Sequence, residues 1–390
     1  MNLICFGESS WTPMWKRNQT MVYLLHRHIR SKRTIFINPH VRISDLFLKP
    51  KSQFCNVDRL WAWKYIIPSG VDDGVISLAD CIIGPRILFG WCNQIISKGY
   101  ARLLRSFLRK KPFILLINDF APERLYFYDI LFPLAEKVIV DLSDDFLTFG
   151  SNEKTNDMIA VLIQKCIDRA ELVLCVNEAV RHKYGNASEK FHVIENGLFL
   201  ERVSQIIATE DPFPKYKIAA PIIGYMGWIT KTRISEDIID AIISEFKHCS
   251  IVFLGQDFDN FAQNLVKRYK NVYYIPPLPF DDMMTFIKHF DVAIIPHKVN
   301  EHTIGNNLLK TPLFLAARVP VVSTPVSGVD RYASVVDIAS SKEEFCAYIK
   351  MALENRDKRK LDRGYEMACE SSFERKLDDL FKIVQQWLSR

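Results

Sequence analysis

Short β-branched runs alternate with stretches of helical period along most of the chain, and the alternation restarts once. In the first half, strands are predicted at Leu3–Phe6, Thr34–Asn38, Phe113–Ile117, Lys137–Asp141, Glu171–Val176 and Phe191–Ile194, separated by helical stretches. After the sharp turn at Glu195-Asn196-Gly197 comes a short helix, then residues 209–220, whose DPFPKYK has the composition of a linker. The second alternation sets strands at Ile222–Tyr225, Ile251–Leu254, Val272–Tyr274, Asp291–Ile295 and Val319–Ser323, with helices at Ser235–Phe246, Phe261–Tyr269 and Asp281–His289. Continuous apolar strands alternating with helices specify parallel sheets covered on both faces. The expected fold class is therefore α/β, two doubly wound parallel sheets in tandem, spanning 1–208 and 221–370. The tail from Ser341 onward reads as helical, and Val41–Gly70, with Trp61, Trp63 and Tyr65, gives no clear element.

One helical stretch carries an unusual charge pattern. Between Lys98 and Lys111, residues Tyr100, Leu103, Leu104, Phe107 and Leu108 follow the helical period, and Arg102, Arg105, Arg109, Lys110 and Lys111 take the other faces. Such a helix suits either peripheral contact with an anionic membrane or an apolar stripe laid on the sheet with solvated arginines. The second arrangement is the commoner one, since every helix of an α/β domain needs that stripe.

Composition narrows the class further. The chain has 390 residues, 48% of them hydrophobic and 25% charged, which fits a globular protein with two cores. A net charge of +6 is modest for this length and gives no argument for nucleic acid as a partner. Nine cysteines contain no C-x-x-C pair and lie mostly in apolar runs, so they read as buried hydrophobes in a reducing cytoplasm. MNLICFGESSW lacks a basic leader, and the longest apolar runs fall short of a bilayer span. The expected location is the cytoplasm, with the inner membrane face as an extension of it.

Polar residues gather where parallel sheets bind ligands, beyond the carboxyl ends of strands. Gly7-Glu8-Ser9-Ser10 follow the first strand, Asp119 follows LLIN, and Asp141, Asp144 and Asp145 follow KVIV. Such acids can act as bases or hydroxyl acceptors, although for any single one helix capping is the commoner role. After Asp291–Ile295 the loop carries Asn306, Asn307 and Lys310, a set suited to a diphosphate or to an ordinary solvated loop.

Six blocks together resemble the GT-B glycosyltransferases, in particular the family 4/1-like bacterial polysaccharide branch with its teichuronic-acid-type transferases. They are IVDLSDDF, AELVLCVNEAVRHKY, FHVIENGLFLERV, PIIGYMGWITKTRI, FDVAIIPHKVNE and AARVPVVSTP, in order along most of the chain. The resemblance implies two Rossmann-like domains facing a cleft, an acceptor-binding first domain, a nucleotide-sugar-binding second domain and a last segment, 371–390, crossing back to the first. It also implies a donor set of Gly227, Lys231, Arg233, Gly255, Gln256, Pro277, Asn300, Glu301, Asn306, Asn307 and Lys310. For the acceptor it implies Trp11, Arg17 and Gln19 with Asp141, and Glu8 at the same mouth. Asp144 and Asp119 are the candidate catalytic acids. No metal and no cofactor are expected, the donor being a UDP- or GDP-linked sugar; Asp257-Phe258-Asp259 spells D-x-D, a pattern of a different fold.

The physical reading of the second half agrees. Gly224 and Gly227 flank the first strand-to-helix turn, where a missing side chain admits a phosphate, and Lys231, Arg233 and Lys310 could neutralise a departing diphosphate. The chain departs from the family pattern at Leu313, where the branch carries a ribose-binding Glu, and at Arg318, where it carries Gly. A leucine accepts no hydrogen bond, so either Glu301 or another acid of the preceding loop compensates, or recognition is altered, or the site is dead. The expected function is retaining, metal-independent transfer of a sugar from a nucleotide-sugar to a hydroxyl of a cell-surface polysaccharide or lipid-linked glycan; the alternative is a degenerate GT-B subunit that binds glycan or a partner transferase without turnover. Sugar-nucleotide epimerases share the fold, but their acid and histidine clusters are missing from this sequence.

Overall fold

The computed structural model describes residues 1–9, 11, 17–31, 33–39, 41–42, 75–78, 81–82, 86–107, 111–148, 153–185, 188–206, 210–278, 280–299 and 309–389. The chain divides into two compact units, Met1–Glu195 with Leu377–Arg390, and Asn196–Lys376.

Unit 1 is built on a parallel sheet of seven strands. These are β1 (Asn2–Phe6), β2 (Thr34–Ile37), β4 (Val75–Leu78), β6 (Phe113–Ile117), β7 (Lys137–Leu142), β8 (Leu172–Cys175) and β9 (Phe191–Val193); β3 (Val41–Arg42) and β5 (Cys81–Ile82) pair separately. The order β4-β2-β1-β6-β7-β8-β9 reverses direction between β1 and β6, with Phe6 opposite Ile37 on one side and Ile117 on the other. Every residue of β1, β2 and β6 is buried, because helices cover both faces. The helix Asp378–Ser389 belongs to this unit, its Phe381 stacked on His28 with centroids 4.4 Å apart.

Unit 2 carries six parallel strands, β10 (Ile222–Met226), β11 (Ser250–Leu254), β12 (Val272–Ile275), β13 (Val292–Ile295), β14 (Val321–Ser323) and β15 (Asp337–Ile338), in the order β12-β11-β10-β13-β14-β15. Here the reversal lies between β10 and β13. Two apolar clusters sandwich the sheet, one around Phe290, Phe314 and Leu315 and the other around Ile239, Phe253 and Phe345.

Three features differ from the sequence reading. The division falls after Glu195, earlier than 208, because Leu198 pairs with Ser372 and exchanges backbone hydrogen bonds with Ser371 and Phe373 inside unit 2. The proline-rich part of 209–220 is packed: Phe213 is buried with its ring centroid 5.1 Å from that of Phe286. The basic helix begins at Arg86, not Lys98, and runs to Phe107. It turns Leu104 inward but leaves Leu103 exposed, so the stripe predicted from both residues is split.

Candidate functional site

In open parallel sheets the crevice for a ligand opens beside the carboxyl ends of the strands where the order reverses. In unit 2 those strands are β10 and β13, and their ends bring together Tyr225, Gly227, His297 and Lys310. Lys310 opens the helix Lys310–Ala316 and is buried. Its Nζ lies 3.3 Å from the Tyr225 hydroxyl, 3.2 Å from His297 Nε2 and 4.5 Å from the Tyr225 ring centroid. The Tyr225 hydroxyl in turn donates to the Trp228 carbonyl at 2.7 Å. His297 is fixed through its backbone, whose carbonyl accepts from Thr324 Oγ1 at 2.7 Å.

The electrostatics of this cluster are one-signed. Burial, followed by the charge of Arg233, pushes Lys310 down from 10.5 to about 7. Burial, followed by the charges of Lys310 and Arg233, pushes His297 far below its usual range, so its ring is neutral and Nε2 can accept from Lys310. No carboxylate is paired with Lys310 among the described residues. The hydroxyl of its neighbour Thr311 is buried without a partner among them. A cationic side chain drawn from water and left without a counter-charge is costly unless an anion arrives.

The backbone supplies the space. Gly227 adopts φ +129°, and a Cβ there would sit 3.0 Å from Lys310 Nζ. Gly255 adopts φ +137° at the end of β11, where a Cβ would lie 2.1 Å from the Gly227 carbonyl oxygen. The two turns are stacked back to back, and Ile229 N–H donates to the Gln256 carbonyl at 2.8 Å. Gly227→Ala is expected to destabilise the protein by about 1–3 kcal/mol, read by thermal unfolding, since an L side chain is strained at that φ. A variant as stable as the parent would show that the turn does not need the conformation.

The other donor candidates are placed as follows. Arg233 lies with its guanidinium 5.7 Å from the Trp228 ring centroid. Lys231 is exposed; its amide is held by Asp259 at 2.8 Å and its carbonyl by Lys298 Nζ at 2.7 Å. Gln256 and Pro277 are exposed beyond β11 and β12. Asn300, Glu301, Asn306 and Asn307 lie outside the described residues. Leu313 is buried in the apolar core, 7% exposed. Both acids of D-x-D accept backbone N–H groups, Asp257 from Phe261 and Gln263 and Asp259 from Lys231.

In unit 1 the acceptor candidates turn inward. Arg17 and Asp141 form a buried bidentate pair, Nη2 to Oδ1 at 2.8 Å and Nε to both oxygens at 3.1 Å, while Asn118 Nδ2 reaches Oδ2 at 3.2 Å. Gln19 is buried, Glu8 exposed, and Trp11 packs edge-on against Phe36 at 4.9 Å. Asp119 is engaged by Arg124 at 2.7 Å and by the Ala121 amide at 3.0 Å. Asp144 is exposed on the turn after β7, accepting from the Asp145 amide at 2.7 Å.

Tyr225, Trp228 and His297 were not singled out from the sequence. Their signal was present: His297 stands two residues beyond β13 and Tyr225 one before the end of β10, the two strands that flank the reversal.

Solved structures share this architecture at low identity. Anabaena HepE in complex with UDP aligns at 12% identity with a TM-score of 0.63, over 99% of this chain and 100% of that one. The fold is GT-B. Sucrose-phosphate synthase from Thermosynechococcus elongatus aligns at 10% identity and TM-score 0.61 over all of both chains. A trehalose-6-phosphate structure from E. coli bound with UDP-2-fluoro glucose aligns at 11% and 0.61 over 99% of each. No protein-family model and no curated protein matches the chain.

Proposed function

We propose that this protein is a hexosyl-type glycosyltransferase of the bacterial polysaccharide, teichuronic-acid-type branch. In this reading a nucleotide-sugar binds at the β10–β13 reversal, and the sugar passes to a hydroxyl of a cell-surface polysaccharide or lipid-linked glycan at the inner membrane face. The observation that carries it is Lys310, buried beside the open Gly227 turn and facing neutral His297 and Tyr225. A diphosphate supplies the missing negative charge, and Lys310 with Arg233 stabilises it as it leaves. HepE was solved with UDP and with UDP-glucose, which supports a uridine donor here.

In the reaction the bond from the anomeric carbon to the β-phosphate oxygen breaks, and a bond to the acceptor oxygen forms. With retention of configuration, the leaving phosphate takes the acceptor proton. Asp144 orients the acceptor, because it is the candidate acid on an exposed turn, whereas Asp119 is engaged by Arg124. Metal is dispensable in this scheme, the cationic side chains serving the diphosphate.

The test is a thermal-shift titration of the whole protein with UDP, GDP, CDP, ADP and dTDP, with and without magnesium. One nucleotide is expected to raise the melting temperature, irrespective of magnesium. At a hundredfold excess over Kd the gain is about 2.7 kcal/mol, or roughly 5–10 °C for a unit of this size. No shift with any nucleotide would overturn the reading in favour of a binding subunit without turnover.

A further inference from the structure

The helix Arg86–Phe107 contains no acidic residue in its 22 positions. Its inner side is defined by Asn93, Ser97, Ala101 and Leu104, all buried. On the opposite side Trp91, Ile95, Lys98, Arg102 and Arg105 recur at alternating intervals of four and three residues, which places them in one row. All five are exposed, Trp91 at 71% and Ile95 at 58%, and Leu103 flanks the basic half at 63%. At the helical rise the row is about 21 Å long.

We infer that this row docks on an anionic lipid bilayer, the helix lying flat with Trp91 and Ile95 at the headgroup–acyl boundary and Lys98, Arg102 and Arg105 against lipid phosphates. The row is apolar at one end and cationic at the other, and a bilayer interface satisfies both. An indole sits well there, with its ring among acyl carbons and its N–H among headgroups. Each basic residue near an anionic surface raises partitioning by about fivefold, so three give roughly a hundredfold. A nucleic-acid backbone would meet the cations but leave Trp91 and Ile95 in water. Among the described residues no helix is long and apolar enough to cross a membrane, so the contact is peripheral. The inference does not depend on the donor site, which lies in the other unit.

The experiment is flotation of the full chain with phosphatidylcholine vesicles, with and without phosphatidylglycerol. Binding is expected only to the anionic vesicles and is expected to fall as salt rises. Arg102→Glu/Arg105→Glu should lower the partition coefficient by about thirtyfold or more, and Trp91→Ser/Ile95→Ser should lower it at unchanged salt dependence. Circular dichroism establishes that both variants are folded. No flotation, equal binding to neutral vesicles, or binding that neither pair alters would overturn the inference. So would binding of duplex DNA, in place of vesicles, that responds to the same substitutions.

Discussion

Lys310→Met is expected to lower kcat/KM for sugar transfer by about 10²–10³-fold, the loss that follows removal of one preorganised partner of a developing negative charge. The fold should be unaffected or firmer, because methionine fills similar space beside Tyr225 without burying a charge. The pH dependence separates this role from a packing role. An unfolded lysine holds its proton to about 10.5, whereas folded Lys310 releases its own near 7. Between those values the unfolded chain binds more protons, so stability of the ligand-free protein rises with pH across that window. The full span corresponds to on the order of 5 kcal/mol. Lys310→Met should remove that rise. A bound diphosphate favours the charged lysine, so nucleotide affinity should weaken as pH increases above about 7, with proton uptake on binding seen calorimetrically in buffers of different ionisation heat. Normal turnover in the purified methionine variant would exclude Lys310 from the chemistry.

Much of the fold could be read from the chain because both sheets are parallel and covered. β6 and β13 are uninterrupted apolar runs, β1 is one from Leu3 onward, and the helices between them announce the crossovers. What escaped the sequence was set by distant partners. Phe213 lies in a proline-rich stretch that looks like a linker, and only its packing on Phe286 and Phe290 fixes it in unit 2. Leu103 and Leu104 are adjacent and equally apolar, and the sheet behind the helix decides which of them turns inward. In the cluster at the β10–β13 reversal, Gly227, Arg233 and Lys310, which the structure brings near one another, could be picked out by residue type and strand position. Their neighbours Tyr225 and His297 were not, since a tyrosine within an apolar strand and a histidine after one are usually core residues. The acids of unit 1 show the same effect in reverse. Asp119 and Asp141 look like available carboxylates until Arg124 and Arg17 are seen to hold them.

That arrangement makes Asp141→Ala the change with the largest expected effect on stability, about 3–5 kcal/mol, because it strands the Arg17 guanidinium in a dry interior. The pair does more than neutralise charge. Arg17 Nη1 also donates to the Ile194 carbonyl at 2.5 Å, and Asn118 Nδ2 donates to the Asp141 carbonyl at 2.8 Å. One guanidinium and one carboxylate thereby join the start of the helix Arg17–Ile29, the loop after β6, the end of β7 and the residue after β9. Replacing both partners by apolar residues, Arg17→Met with Asp141→Leu, should recover most of the loss, since it removes two desolvated charges together. Hydrogen exchange of the β1 and β7 amides reports on this unit even when the two units unfold separately. An acceptor-binding role predicts another outcome: Asp141→Ala would leave β1 and β7 protected while transfer is lost. Protection that drops in the single variant and returns in the double one identifies the pair as the structural tie of this end of the sheet, and leaves acceptor contact to exposed neighbours such as Asp144 and Glu8.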